Sequence, residues 1–185
     1  VSSLQNNNIT VQVSGLVLTL ILAIGLVGIP KALAQPPYNV ISDASAEQTD
    51  GKMKLTATAE GDIAKKPDDY IDSVPVFGYA WLDGNEAIVA AIHPTFDDSA
   101  QNPKSWHTHP VTLDGDNCIT KLGTSQGGIS IKGDIITLQI ATKQAGNINP
   151  DTAASFEVHP DDNCEPPEGT DNGLKVTVLS DVSIP

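Results

Sequence analysis

From residue 52 to residue 60 apolar and polar positions alternate without a break. Met53, Leu55, Ala57 and Ala59 fall on one side, Lys54, Thr56, Thr58 and Glu60 on the other. Period two is the mark of a strand with one buried face. Residues 74–82, rich in Val, Phe, Tyr and Trp, predict a second strand. Asp83-Gly84-Asn85 turns the chain into 86–93, a small-residue apolar run suited to a strand buried on both faces. Further strands are expected at 106–113, 118–122, 129–132, 135–141, 154–159 and 174–182, with a two-residue hairpin turn at Gly133-Asp134. After residue 34 no segment sustains the three-to-four spacing of an amphipathic helix. The pattern predicts an all-β fold, an antiparallel β-sandwich of Ig-like or jelly-roll-like type. Loops at 61–73, 94–104, 142–152 and 160–172, rich in Asp, Asn, Gly and Pro, are where a rigid sheet would carry binding residues.

The first 34 residues differ in kind. Residues 15–29 form an uncharged apolar run, followed by Pro30 and by Ala32-Leu33-Ala34, a small-x-small triplet. That is the form of a secretion signal cleaved before Gln35. Residues 1–12 lack the usual Lys or Arg, and residues 11–29 are just long enough to span a bilayer at about 20 residues. The expected organisation is therefore a signal peptide or membrane anchor at 1–34, a polar linker with at most one edge strand at 35–50, and the sandwich at 51–185. Either form of the leader implies an exported protein, extracellular or in the cell envelope, with membrane anchoring through 11–29 as the second possibility.

Charge narrows the partners. The chain carries a net charge of −13 and no arginine, and all 23 acidic residues follow residue 34. Nucleic-acid and phosphate recognition needs positive charge and favours the guanidinium fork, so nucleic acid is excluded as a partner. An anionic membrane surface would repel the domain, and the acidity reads as a means of solubility. Cys118 and Cys164, a pair in an exported chain with no Cys-x-x-Cys, predict one structural disulfide.

Chemistry concentrates on histidine. Trp106-His107-Thr108-His109-Pro110 places two imidazoles at i and i+2, on one face of a strand and roughly 7 Å apart. Two rings so placed can share a zinc or copper ion. Val111 and Leu113 continue the alternation, so this face is expected to point into the sandwich. His93, ending a central strand, is the expected third ligand, with Asp97 or Asp98 from the following loop as the fourth or supporting group. His159 should lie on the surface beside a carboxylate. The bland reading of the cluster is a set of buried, hydrogen-bonded histidines.

Known signatures do not fit. Deubiquitinase-like metalloproteases follow His-x-His-Pro with Ser-x-x-Asp, where this chain has Val111-Thr112-Leu113-Asp114. A cupin would show a later histidine motif, and a blue-copper site a histidine after its cysteine. There is no EF-hand run, Gly-x-Ser-x-Gly or phosphate loop. Paired carboxylates such as Asp68-Asp69 sit in polar loops, without the apolar setting that raises a pKa for acid catalysis.

Gly78-Tyr79-Ala80-Trp81, the run from Ala91 through His93-Pro94 to Phe96, Asn102-Pro103, Trp106-His107, Val111-Thr112-Leu113, and later Val158-His159-Pro160 with Cys164 resemble uncharacterised exported proteins of ammonia-oxidising archaea. The resemblance covers most of residues 74–180. It implies an envelope-associated β protein and carries no activity. Those proteins have Thr after His-x-His where this chain has Pro110. Two functions follow as expectations. One is a secreted or cell-surface binding or structural module of unknown ligand, without enzymatic activity. The other is an extracellular metal-binding protein, a copper or zinc carrier before an oxidoreductase, that uses His93, His107 and His109.

Overall fold

The computed structural model describes residues 35–66, 76–93, 105–124, 127–146 and 148–185. Ten strands appear among them, all paired antiparallel: β1 (Ile41–Thr49), β2 (Lys52–Ala59), β3 (Val76–Asp83), β4 (Glu86–Ile92), β5 (His107–Leu113), β6 (Ile119–Leu122), β7 (Gly128–Lys132), β8 (Ile135–Ala141), β9 (Thr152–Pro160) and β10 (Leu174–Ser183). The described helices are a 3-10 turn at Pro37–Asn39 and the four-residue α1, Thr142–Ala145. The expected hairpins join β3 to β4 and β7 to β8. Gly133 supplies the positive φ of 61° that the second turn demands.

Two sheets pack as a sandwich. β1-β2-β8-β7 forms one, and β10-β9-β3-β4-β5-β6 the other. Alternation explains the core between them. β2 sends in Met53, Leu55 and Ala57, β8 sends Ile136, Leu138 and Ile140, and β3 answers with Phe77, Tyr79 and Trp81. The two polar tips that β3 buries here are satisfied: the Tyr79 hydroxyl donates to the Tyr38 carbonyl at 2.6 Å and the Trp81 indole N–H to the Thr56 carbonyl at 3.3 Å.

The larger sheet departs from an Ig-like arrangement. It runs β3-β4-β5-β6 hairpin after hairpin, and it curls until its end strands meet. Cys118, just before β6, bridges to Lys175 of β10, and the Val176 N–H donates to the Asn117 carbonyl at 2.9 Å. The disulfide between Cys118 and Cys164 lies at this seam, with Cα atoms 5.5 Å apart. The curl encloses a second apolar interior, lined by Ala80, Val89, Val111, Ile119, Phe156 and Val158 among others. Strands β3 and β4 are thus buried on both faces, which is why they carry near-continuous apolar runs.

Two expectations need correction. Residues 35–50 are not a linker but hold the edge strand allowed for there: β1 pairs along β2 at the edge of the sandwich, and Ile41 and Ala44 are buried in its core. Membrane anchoring through residues 11–29 is withdrawn as well. No helix among the described residues is long and apolar enough to cross a membrane, and residues 11–29 lie outside that set.

Candidate metal centre

β5 carries His107 and His109 two residues apart, so both rings leave one face. β4 lies beside it, with Ala91 opposite His107 and Val89 opposite His109. His93 follows the last residue of β4 and continues the alternation of Ala87, Val89 and Ala91. The three rings therefore converge. Their centroids are 4.4 Å apart for His93 and His107, 4.8 Å for His107 and His109, and 6.3 Å for His93 and His109. One ligating atom from each can be chosen so that all lie within 4.8 Å of one another. All three residues are at least 95% buried.

The face they share with Val111 is the expected one; the interior it meets is not. Thr108, between the two histidines, is the residue turned the other way, and its hydroxyl accepts the Gly127 N–H at 3.2 Å. The histidines belong to the same face as Val111, inside the curl of the six-stranded sheet rather than in the sandwich core. The alternation was legible; a strand buried on both faces leaves open which interior each face meets.

Backbone carbonyls set the rings. His107 Nδ1 lies 2.8 Å from the Ser105 carbonyl oxygen, and His109 Nδ1 lies 2.8 Å from that of Gly123. A carbonyl can only accept, so each Nδ1 carries the proton and each Nε2 keeps its lone pair. This is the tautomer a metal ligand requires, and a carbonyl on the far nitrogen is the usual support of such a ligand. The His93 and His107 Nε2 atoms are 2.6 Å apart, and with a lone pair on His107 the proton between them belongs to His93. An ion in place of that proton, held tetrahedrally at 2.0–2.1 Å, would set the nitrogens about 3.3 Å apart. Opening the pair by about 0.7 Å, which small side-chain rotations can supply, meets that requirement.

Gly123 has a specific reason to be glycine. A Cβ there would lie 2.7 Å from Cγ of Pro110, and the Gly123 N–H donates to the Pro110 carbonyl at 2.9 Å. The pair locks the carbonyl that orients His109. Sequence reasoning missed Ser105 and Gly123 because both act through the main chain, which leaves no side-chain signature. Asp97 and Asp98 lie outside the described residues. His159 stands apart from the cluster: its side chain is 43% exposed, with Nε2 3.3 Å from Glu157 Oε2.

Fold and site together define an all-β sandwich with a buried three-histidine cluster on two neighbouring strands. No protein family, curated protein or solved structure was found to match the chain. The functional reading accordingly rests on the geometry.

Proposed function

We propose that this is an exported protein that binds one transition-metal ion, zinc or copper, through His93, His107 and His109. The observation that carries the reading is the pairing of convergence with orientation. Three buried imidazoles meet with one ligating atom from each within 4.8 Å of the others, and two of them have Nδ1 on backbone carbonyls, which makes Nε2 the donor nitrogen toward an ion. Histidines buried only for packing need their hydrogen bonds satisfied; they have no need to crowd three rings together at 2.6 Å between two Nε2 atoms. Neutral nitrogen donors suit zinc and copper and are a poor match for calcium or magnesium, which take oxygen. Export is supported by the leader-like residues 15–34 and by the disulfide, which persists in an oxidising compartment. The reading is of a metal carrier, since all three donors are buried.

The test is metal titration of the untagged chain after chelator treatment, read by calorimetry and by elemental analysis after gel filtration. One equivalent of zinc or copper should be retained. His109→Ala should abolish retention while the β circular-dichroism spectrum persists, and His159→Ala should retain metal as the parent does. Failure of the parent chain to hold a stoichiometric ion, or equal loss in His159→Ala, would refute the reading.

A further inference from the structure

The described residues do not fill the curl of the six-stranded sheet. It encloses a cavity of about 510 Å³, within the range of small-molecule sites. Protein interiors are normally close-packed, and even an eight-stranded barrel is only just wide enough for side chains to fill. The room here comes from the choice of residues on one face. β3 puts Phe77, Tyr79 and Trp81 toward the sandwich core but Gly78 and Ala80 toward the curl. β4 puts Ile88 and Ile92 one way, Ala87 and Ala91 the other. Ala154 of β9 adds another small residue to the same wall. Large side chains on one face of β3 and β4 and mostly small ones on the other leave a space that is mainly apolar.

Two features mark the polar parts of this space. His93 and His109, two of the three histidines of the metal centre, line it. The loop between β9 and β10 contributes Glu168, Thr170, Asp171 and Asn172, so an anionic group would meet carboxylates there. At the seam, Cys118 bridges Lys175 and the Asn117 carbonyl accepts the Val176 N–H, so the main-chain groups there are already paired and offer none to an added strand. An α-helix, 10–12 Å across with its side chains, is too wide for a six-stranded curl.

The geometry points to a small, uncharged, mainly apolar molecule as the occupant. Its hydrocarbon part fills the curl between Ala80, Ala154 and Phe156, and a single nitrogen or oxygen lone pair lies at the His93 and His109 end. The seat of the hydrocarbon part follows from the cavity alone; the place of the lone pair rests on the metal reading above.

Two probes separate these parts. Both 1-octylimidazole and 1-methylimidazole carry the same metal-ligating ring, and only the first has a chain for the cavity. Binding of each is measured by calorimetry on the full chain, zinc-loaded and metal-free, after zinc retention itself has been recorded. The octyl compound should bind at least a hundredfold more tightly than the methyl compound to the zinc-loaded chain. Ala80→Phe, which fills the middle of the cavity away from the histidines, should bring that ratio below about tenfold while zinc retention is unchanged. Ala80→Leu, a smaller intrusion, should give an intermediate ratio, and an unfolding temperature no lower than the parent's shows that either variant is folded. Equal affinities for the two probes, or a ratio unmoved in a folded Ala80→Phe chain, overturn the proposal. If zinc is not retained, the metal reading fails, and the same comparison on the metal-free chain still decides whether the cavity takes the hydrocarbon chain.

Discussion

Breaking the Cys118–Cys164 bond should destabilise the domain by about 4 kcal/mol. The two cysteines are 46 residues apart in sequence. In the chain-entropy model, releasing a loop of that length returns about 13 cal/mol/K to the unfolded chain, or about 4 kcal/mol at 25 °C. Single domains are stable by roughly 5–15 kcal/mol, so the bond carries a large share of the whole. At about 2–4 °C per kcal/mol for a domain of this size, the unfolding temperature should fall by about 8–16 °C. The experiment compares oxidised chain, chain reduced under a phosphine, and Cys118→Ala/Cys164→Ala, each unfolded by urea and by heat. Reduction should also raise the urea dependence, since an unlinked unfolded chain exposes more surface. The histidines are placed by β4 and β5 rather than by the seam, so the reduced protein should still retain metal. A loss under about 1 kcal/mol with unchanged urea dependence would refute the reasoning, because the loop would then be tethered by something other than the bond.

Gly123→Ala should weaken metal retention about tenfold or more, through displacement of the carbonyl that holds His109 Nδ1; competition against a chromophoric chelator measures this. Leu55→Ala, at a fully buried position of the sandwich core, should cost about 2–5 kcal/mol in urea unfolding without altering metal stoichiometry. The Asp161 carboxylate is held below the usual carboxylate range, chiefly by the Asn163 backbone N–H, then by the Asn163 side-chain amide, with Lys175 adding to it. A depressed folded value stabilises above the unfolded value of about 3.9 and is lost as pH falls through the folded one. NMR titration should therefore find Asp161 below its ordinary value, and Asn163→Ala should move it upward.

What could be read in the sequence was whatever is local. Strict alternation in β2 and the Asp83-Gly84 and Gly133-Asp134 turns marked strands and hairpins correctly, because period and turn chemistry act over a few residues. β1 was legible only as an edge strand without bounds, because only Ile41 and Ala44 of its nine residues are buried and its register shifts between Ile41 and Asp43. The Asp50-Gly51 dipeptide before β2 was the available signal, an ordinary hairpin turn. The meeting of β10 with the start of β6 joins residues far apart in the chain through main-chain atoms, and no local pattern announces it. The same holds for the cavity. Its alanines are unremarkable in sequence and acquire meaning only once the two faces of β3 and β4 are known to meet different interiors. The histidine grouping was legible from His-x-His and the end of the preceding strand; its supporting carbonyls were not.

The order in which the chain can assemble follows from where its contacts fall. The three histidines lie between residues 93 and 109 on two neighbouring strands, whereas the seam must bring residue 118 to residues 164 and 175. Short closures form ahead of long ones. The β4–β5 pair can thus gather its imidazoles while the remainder of the sheet is still open, and an ion captured then would act as a clasp on the nascent hairpin. Refolding with zinc or copper present would accelerate the early phase and leave the later, oxidation-linked step unchanged. Metal would then be acquired during maturation rather than by a finished protein, and the supply of the ion at the site of folding would decide how much of the chain is loaded.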